Sequence, residues 1–382
     1  MQKVYLDSAA TTQVREEVIA KMQDALGECY GNPSSTHSFG RTAKTAIEKT
    51  RKTIAKYLNA HPAEIIFTSG GTEADNMILR GAVRDLDVRT IITSKIEHHA
   101  VLHTVEELEK EYGIALHYVN LDANGNPDLI HLKELLAKDD TKKIVSLMHV
   151  NNEIGNKLDI DAVCILCKEY NALFHSDTVQ SVGHYAWDVQ QTPVDFLTAA
   201  AHKFHGPKGI GFAYIKKDKG IKPLIFGGSQ ERGFRAGTEP YHNIVGLEEA
   251  FVMSYNNLDE EKAYVTELKQ YFIDKIKTEI PEVKFNGLSG DIDKSTYTLV
   301  NVNLPVDEKK GLMLLFHLDL KGIGCSKGSA CQSGSSLGSH VLTEVLSNED
   351  LQKPSVRFSF SKYNTKQELD YTIQVLKEFV ES

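Results

Sequence analysis

Short apolar, β-branched runs alternate along the chain with longer segments whose apolar residues recur at helical spacing. Glu64-Ile-Ile-Phe-Thr68, Thr90-Ile-Ile-Thr-Ser94, Ala115-Leu-His-Tyr-Val119, Lys143-Ile-Val-Ser-Leu-Met148, Ala172-Leu-Phe-His-Ser-Asp177, Asp195-Phe-Leu-Thr-Ala199 and Gly211-Phe-Ala-Tyr-Ile215 read as strands. Helical patterns lie between most of them, among them Ala43 to Leu58, a helix opening at Glu73, and Ile160 to Tyr170. This alternation predicts an α/β domain with a mostly parallel sheet, whose ligands sit at the C-terminal ends of strands. After about residue 250 the rhythm changes. A polar helix over Glu260 to Ile280 stops at Pro281. Then come a strand at Thr298 to Leu304, a helix near Gly311 to Leu320, a strand at Ser355 to Phe360 and a last helix, which read as a small α+β domain. The boundary falls near residue 253. The stretch from Gly322 to Gly338 is rich in glycine and serine and reads as a mobile surface loop.

At 382 residues the chain is too long for one hydrophobic core, in keeping with two domains. With 41% hydrophobic and 25% charged residues it is neither a disordered chain nor a disulfide framework. A net charge of −9 argues against a phosphate-backbone binder, which needs clustered cations. No apolar run approaches bilayer length, and the opening Met1-Gln-Lys-Val-Tyr-Leu-Asp7 has no signal-peptide core. These features predict a cytoplasmic protein with no membrane and no direct nucleic-acid partner. Five cysteines, an odd count, are then expected as free thiols.

Several segments could carry chemistry. Thr68-Ser-Gly-Gly-Thr-Glu-Ala-Asp-Asn76 is a glycine turn between strand and helix, able to offer N–H groups to a phosphate, or simply a capped helix start. The spacings GxxxxGK[ST] and GxGxxG are absent, which disfavours ATP and NAD. Asp177 and Lys203 each follow a predicted strand. A lysine there can form a Schiff base, and an acid beside it can keep a pyridinium nitrogen protonated. The plainer readings are a solvated lysine and a turn residue. Cys331 sits in the glycine- and serine-rich stretch, six residues after Cys325, with which it could pair on oxidation. Arg357 in an alternating strand could clamp a carboxylate or make a surface ion pair. Cys164 and Cys167 have CxxC spacing but lie in an apolar helical pattern without a second pair, so zinc is not expected. His99 and His103 lack a carboxylate partner at metal-site spacing, and no metal is expected there.

Taken together, these segments resemble the group I cysteine desulfurases of the NifS/IscS type, which have the aspartate-aminotransferase-like fold of pyridoxal phosphate (PLP) enzymes, fold type I. The resemblance rests on Tyr5-Leu-Asp-Ser-Ala-Ala-Thr-Thr12, Gly31-Asn-Pro-Ser-Ser-Thr-His37, Phe67 to Asn76, Glu97-His-His-Ala-Val101, His149-Val-Asn-Asn-Glu-Ile-Gly155, Asp177-Thr-Val-Gln180, Ala201-His-Lys-Phe-His-Gly-Pro-Lys-Gly209, Glu231-Arg-Gly-Phe-Arg-Ala-Gly-Thr238, Gly328-Ser-Ala-Cys-Gln-Ser-Gly334 and Arg357-Phe-Ser359, in the family's order.

The resemblance implies a large PLP-binding domain over 14–253, with a mostly parallel sheet of seven strands. A smaller domain from 1–13 and 254–382 would carry the cysteine loop at about 322–338. It implies that Lys203 binds PLP covalently, that Asp177 pairs with the ring nitrogen and Gln180 with the ring hydroxyl, and that His98 stacks on the ring and handles protons. Gly71, Thr72 and His202 would hold the phosphate, and Thr238 would reach the phosphate of a second subunit in a homodimer. Asn152 would touch cofactor and substrate, with Arg357 and Asn32 near the substrate carboxylate. Cys331 would take sulfur from L-cysteine, releasing L-alanine, and hand it to an iron–sulfur scaffold or a tRNA-thiolation enzyme.

The chain also departs from the family pattern. Ala200 stands where a phosphate-binding serine is usual, and Thr198 or water is the expected substitute. Cys325 is extra, Ser335-Ser-Leu-Gly-Ser-His340 replaces a Leu-Glu-Pro-containing stretch, and Asn156-Lys-Leu-Asp159 is unusual. Two other readings are a PLP lyase or aminotransferase that does not use Cys331, and a sulfur-relay or scaffold protein with weakened cofactor binding.

Overall fold

The computed structural model describes residues 2–217, 219–328 and 338–382. A two-residue strand β1 (Val4–Tyr5) opens the chain. Seven strands then build the main sheet: β2 (Ile65–Thr68), β3 (Thr90–Thr93), β4 (Ala115–Tyr118), β5 (Lys143–Ser146), β6 (Leu173–Asp177), β7 (Phe196–Ala200) and β8 (Gly211–Ile215). Their spatial order is β2-β8-β7-β6-β5-β3-β4. The pairs from β7 through β4 are parallel, and β8 runs antiparallel to both neighbours. All seven coincide with the apolar runs read from the sequence, to within a residue or two at their ends.

Consecutive strand residues serve opposite faces. Ile65, Phe67, Ile92 and Val145 enter one apolar core with the flanking helices Glu16–Glu28, Ser38–Tyr57, Ile160–Glu169 and Tyr241–Asn256. Ile66, Ile91 and Ile144 enter the apolar layer that completes this core on the opposite face of the sheet, covered by the helices Gly71–Asp85 and His99–Tyr112. A parallel sheet buried on both faces needs such continuous apolar runs. Gly211 is required where β8 meets β7, because a Cβ there would lie 2.2 Å from the carbonyl of Ala199.

A second core gathers residues from both chain ends. Val4 and Leu6 pack with Phe272 and Ile276 of the helix Leu258–Glu279, with Val300 and Phe358, and with Ile373 and Phe379 of the helix Lys366–Glu381. Around it β9 (Lys284–Phe285), β10 (Leu299–Asn303) and β12 (Ser355–Ser359) form an antiparallel sheet, while β11 (Ile323–Gly324) pairs parallel with β1.

That last pairing corrects one expectation. The stretch beginning at Gly322 is not surface loop throughout: Ile323–Gly324 is strand and Ser326 is buried against β12. Small residues in sequence concealed a strand whose partner lies more than 300 residues away. Among the described residues no helix is long and apolar enough to cross a membrane.

Candidate active site

Five strand ends converge on one cavity of about 190 Å³. The turn after β2 supplies Gly71 and Thr72, the segment after β3 His98, the segment after β5 Met148 and Asn152, β6 Asp177 with Val179 and Gln180, and β7 Ala200 followed by His202 and Lys203. From the other side β12 contributes Arg357, and the N-terminal segment contributes Ala9 and Ala10. Helices packed on both faces leave only the C-terminal edge of the sheet open, so strand-end residues meet there whatever their separation in sequence.

Each predicted side chain is held by its own local structure. His98 caps the helix His99–Tyr112, its Nδ1 accepting from Ala100 N at 3.1 Å, so the neutral ring carries its proton on Nε2. Burial, followed by the charge of Lys203, lowers its pKa to about 4. Asp177 is buried, with Oδ1 accepting from Val179 N at 2.9 Å. Burial and then the buried Asp75 push its pKa up to about 7. Gln180 donates to Ala9 O at 2.9 Å. Lys203 Nζ donates to the carbonyls of Ala9 and Ala10 at 2.7 and 2.9 Å. His202 lies 3.2 Å from Thr11 Oγ1, and burial, then Lys203, lowers its pKa to about 4. Arg357 donates to Asn152 O at 2.6 Å and to Asp7 Oδ1 at 2.9 Å.

The remaining predicted residues fall elsewhere. Asn32 and Thr238 are exposed and do not line the cavity within one chain. Asn32 Oδ1 caps its own turn by accepting from Ser34 N. The segment leading to Thr238 is anchored by a buried pair: Arg51 meets Glu231 through two bonds of 2.7 and 2.8 Å, and Glu231 also accepts from Phe67 N in β2. Cys331 lies outside the described residues. Cys325 packs against the second core, and burial drives its thiol pKa up to about 12, so it is held as a thiol rather than a thiolate. Cys164 and Cys167 are buried in their helix with thiol pKa values likewise raised by burial. His99 stacks on His103 with ring centroids 4.7 Å apart.

Asp75 and the N-terminal carbonyls were missed from the sequence. Asp75 is buried, lines the cavity, and has its pKa raised by burial to about 7. Its one sequence signal is an acid inside the glycine-turn motif. Ala9 and Ala10 act through backbone oxygens, which side-chain identity does not reveal. Thr198, an expected substitute for the missing serine, lies with its hydroxyl 3.2 Å from His175 Nε2.

The cavity suits PLP. The first turn of the helix Gly71–Asp85 opens onto it with N–H groups for a phosphate. Gly71 leaves that end open, since a Cβ would come within 2.7 Å of Val179. Asp177 is a buried carboxyl whose pKa burial has raised, which a cationic ring nitrogen would reverse. An amine, Lys203, completes the set.

Comparison with known proteins identifies the family. The class-V aminotransferase family model matches residues 4–372. A cysteine desulfurase IscS of Dictyoglomus turgidum is 44% identical over 381 residues, covering 99% of this chain and 95% of that protein. A solved NifS-like protein superposes with a TM-score of 0.89 at 34% identity over the full length of both chains. The structure of SspA in complex with cysteine superposes with a TM-score of 0.82 at 31% identity, covering 95% of this chain and 100% of that one. The chain therefore belongs to the class-V aminotransferase family, in its NifS/IscS cysteine desulfurase branch. Enzymes of this branch depend on PLP and share the fold type I architecture seen here.

Proposed function

We propose that this protein converts L-cysteine to L-alanine and leaves the sulfur as a persulfide on Cys331. The observation that carries this reading is the meeting of Lys203, Asp177, His98 and Arg357 in one cavity. Lys203 would hold PLP covalently, Gly71, Thr72 and His202 its phosphate, Asp177 its ring nitrogen and Gln180 its ring hydroxyl. Thr238 is assigned to the phosphate of a second subunit in a homodimer. When bound, PLP supplies an electron sink for the substrate Cα.

The substrate carboxylate is assigned to Arg357 and Asn152, with Asn32 near it. Lys203 moves the Cα proton. His98, neutral at physiological pH, presents an Nε2–H without adding charge beside Lys203. Cys331 attacks the substrate sulfur as a thiolate: the C–S bond breaks, an S–S bond forms, and the β-carbon gains a proton. One free thiol and one cysteine give one persulfide and one alanine, so no external oxidant is consumed.

The two apolar cores support a division into a large domain at 14–253 and a small domain at 1–13 and 254–382. In the cytoplasm, an iron–sulfur scaffold or a tRNA-thiolation enzyme would receive the sulfur; the IscS names of the relatives support the iron–sulfur role.

The test is alanine and sulfide release from L-cysteine with a reductant, comparing wild type with Cys331→Ser. Alanine from wild type and its loss in the variant support the reading. Alanine that persists in the variant points to a lyase. None from either protein, with PLP supplied, overturns it.

A further inference from the structure

Resting on the assignment of the substrate carboxylate to Arg357, we propose that Asp7 is a positioning residue for substrate recognition. It holds the Arg357 guanidinium in place for a carboxylate and so favours amino acids over simple amines. The side chain of Asp7 has no role in the mechanism above, yet it is built into the site. Asp7 Oδ1 accepts from Arg357 at 2.9 Å and from Ser326 Oγ at 2.8 Å.

The carboxylate has little freedom. The backbone of Asp7 bridges to Ser359, two residues beyond Arg357 on β12, and Ser359 N donates to Leu6 O at 2.8 Å. Ala9 N donates to Ser359 Oγ at 2.9 Å. Ser326, which shares the Asp7 oxygen, is bonded through its backbone to Arg357 in both directions, at 2.7 and 3.3 Å. Asp7, Ser326 and Arg357 thus form one unit in which moving any member breaks a bond to another.

The charge arithmetic favours the same role. Arg357 is 1% exposed, and its ion pair with Asp7 is the only one it makes among the described residues. A buried guanidinium without a counter-charge is strongly disfavoured, so Asp7 balances the charge of Arg357 and holds it in place before substrate arrives. The pairing does not exhaust the fork. Asp7 and the Asn152 carbonyl each take one donor, while Arg357 Nε is buried without a partner among the described residues. A guanidinium has five N–H donors, so capacity for a ligand carboxylate remains.

The test uses full-length PLP-loaded protein carrying Cys331→Ser, so that ligands bind without sulfur transfer. Dissociation constants for L-cysteine and for cysteamine, the same thiol and amine without the carboxylate, are read from the change in the visible absorption of the bound cofactor. Asp7→Asn is expected to weaken L-cysteine about tenfold and leave cysteamine within about twofold, as loss of a charge-assisted contact specific to the carboxylate requires. Asp7→Glu, which keeps the charge, is expected to restore discrimination to within about threefold of the parent and gives the answer if Asp7→Asn fails to fold. Equal weakening of both ligands, or none of either, in Asp7→Asn overturns the proposal. Arg357→Lys separates the two readings. If it keeps full discrimination, the carboxylate assignment fails and the role of Asp7 fails with it. If it loses discrimination while Asp7→Asn and Asp7→Glu do not, only the role of Asp7 fails.

Discussion

The two walls of the cavity solve the problem of buried charge in opposite ways. On the wall formed by the main sheet, burial is the largest influence on Asp75, Asp177 and His98. On the wall formed by β12, Arg357 is as deeply buried but is matched by Asp7. The first wall is built for a group that arrives with its own charges; the second is neutralised before anything binds. Changes on the first wall should therefore alter cofactor retention and chemistry, and changes on the second should alter substrate affinity.

Lys203→Ala should have the largest effect, lowering alanine formation by on the order of a thousandfold or more, with PLP removable by dialysis. Retention of PLP after dialysis would break the assignment of that wall. Arg357→Lys should raise KM for L-cysteine by about tenfold or more and change kcat by less than about threefold, because ammonium cannot reproduce the fork. A fall in kcat at constant KM would erase the distinction between the walls.

The pH dependence of stability tests the buried titratable groups of the fold, those of the first wall among them. In the folded chain His98, His99, His149, His175, His202 and His205 have pKa values near 4, whereas the unfolded chain takes up protons below about 6.5. Their contribution is therefore lost as pH falls from 6.5 towards 4. Asp75, Asp177 and Glu97 act in the opposite sense: folded, they keep their protons to about 7, 7 and 8, against ordinary values of 3.8, 3.8 and 4.5, so their contribution is lost as pH rises from about 4 through those folded values. Imidazoles outnumber carboxyls, so acid loss dominates below pH 6.5 and the carboxyl loss remains above it. The urea midpoint of the apoprotein should be highest near pH 6.5 and fall on both sides; a midpoint that rises steadily to pH 8 would contradict the buried carboxyls.

The smallest effect belongs to Ala200. Restoring a hydroxyl with Ala200→Ser adds one hydrogen bond of about 0.5–1.5 kcal/mol, which should tighten PLP binding by roughly twofold to tenfold in equilibrium titration. No tightening would mean that the phosphate is already fully satisfied on that wall.

Much of this was legible in the chain. Both faces of the main sheet are buried, so each strand appears as a continuous apolar run, and the strands ending in Asp177 and Ala200 could be found within a residue or two. Residues that follow such strands are forced to the open edge, which is why Asp177 and Lys203 could be named as candidates from position, whereas His98 came from the family resemblance alone. The strand at Ile323–Gly324 could not, because small residues beside a distant two-residue partner leave no periodicity to read.

Local chemistry and period thus determined the elements of the main sheet, the residue types for PLP and the candidate carboxylate-binding arginine. Tertiary structure alone decided that Ala9 and Ala10 accept from Lys203, that Asp75 joins Asp177 in the cavity lining, and that Asp7 and Ser326 share Arg357. The reason is physical: those contacts join segments up to 350 residues apart and depend on backbone oxygens or on which buried charge lacks a partner, properties that exist only once the two cores have packed.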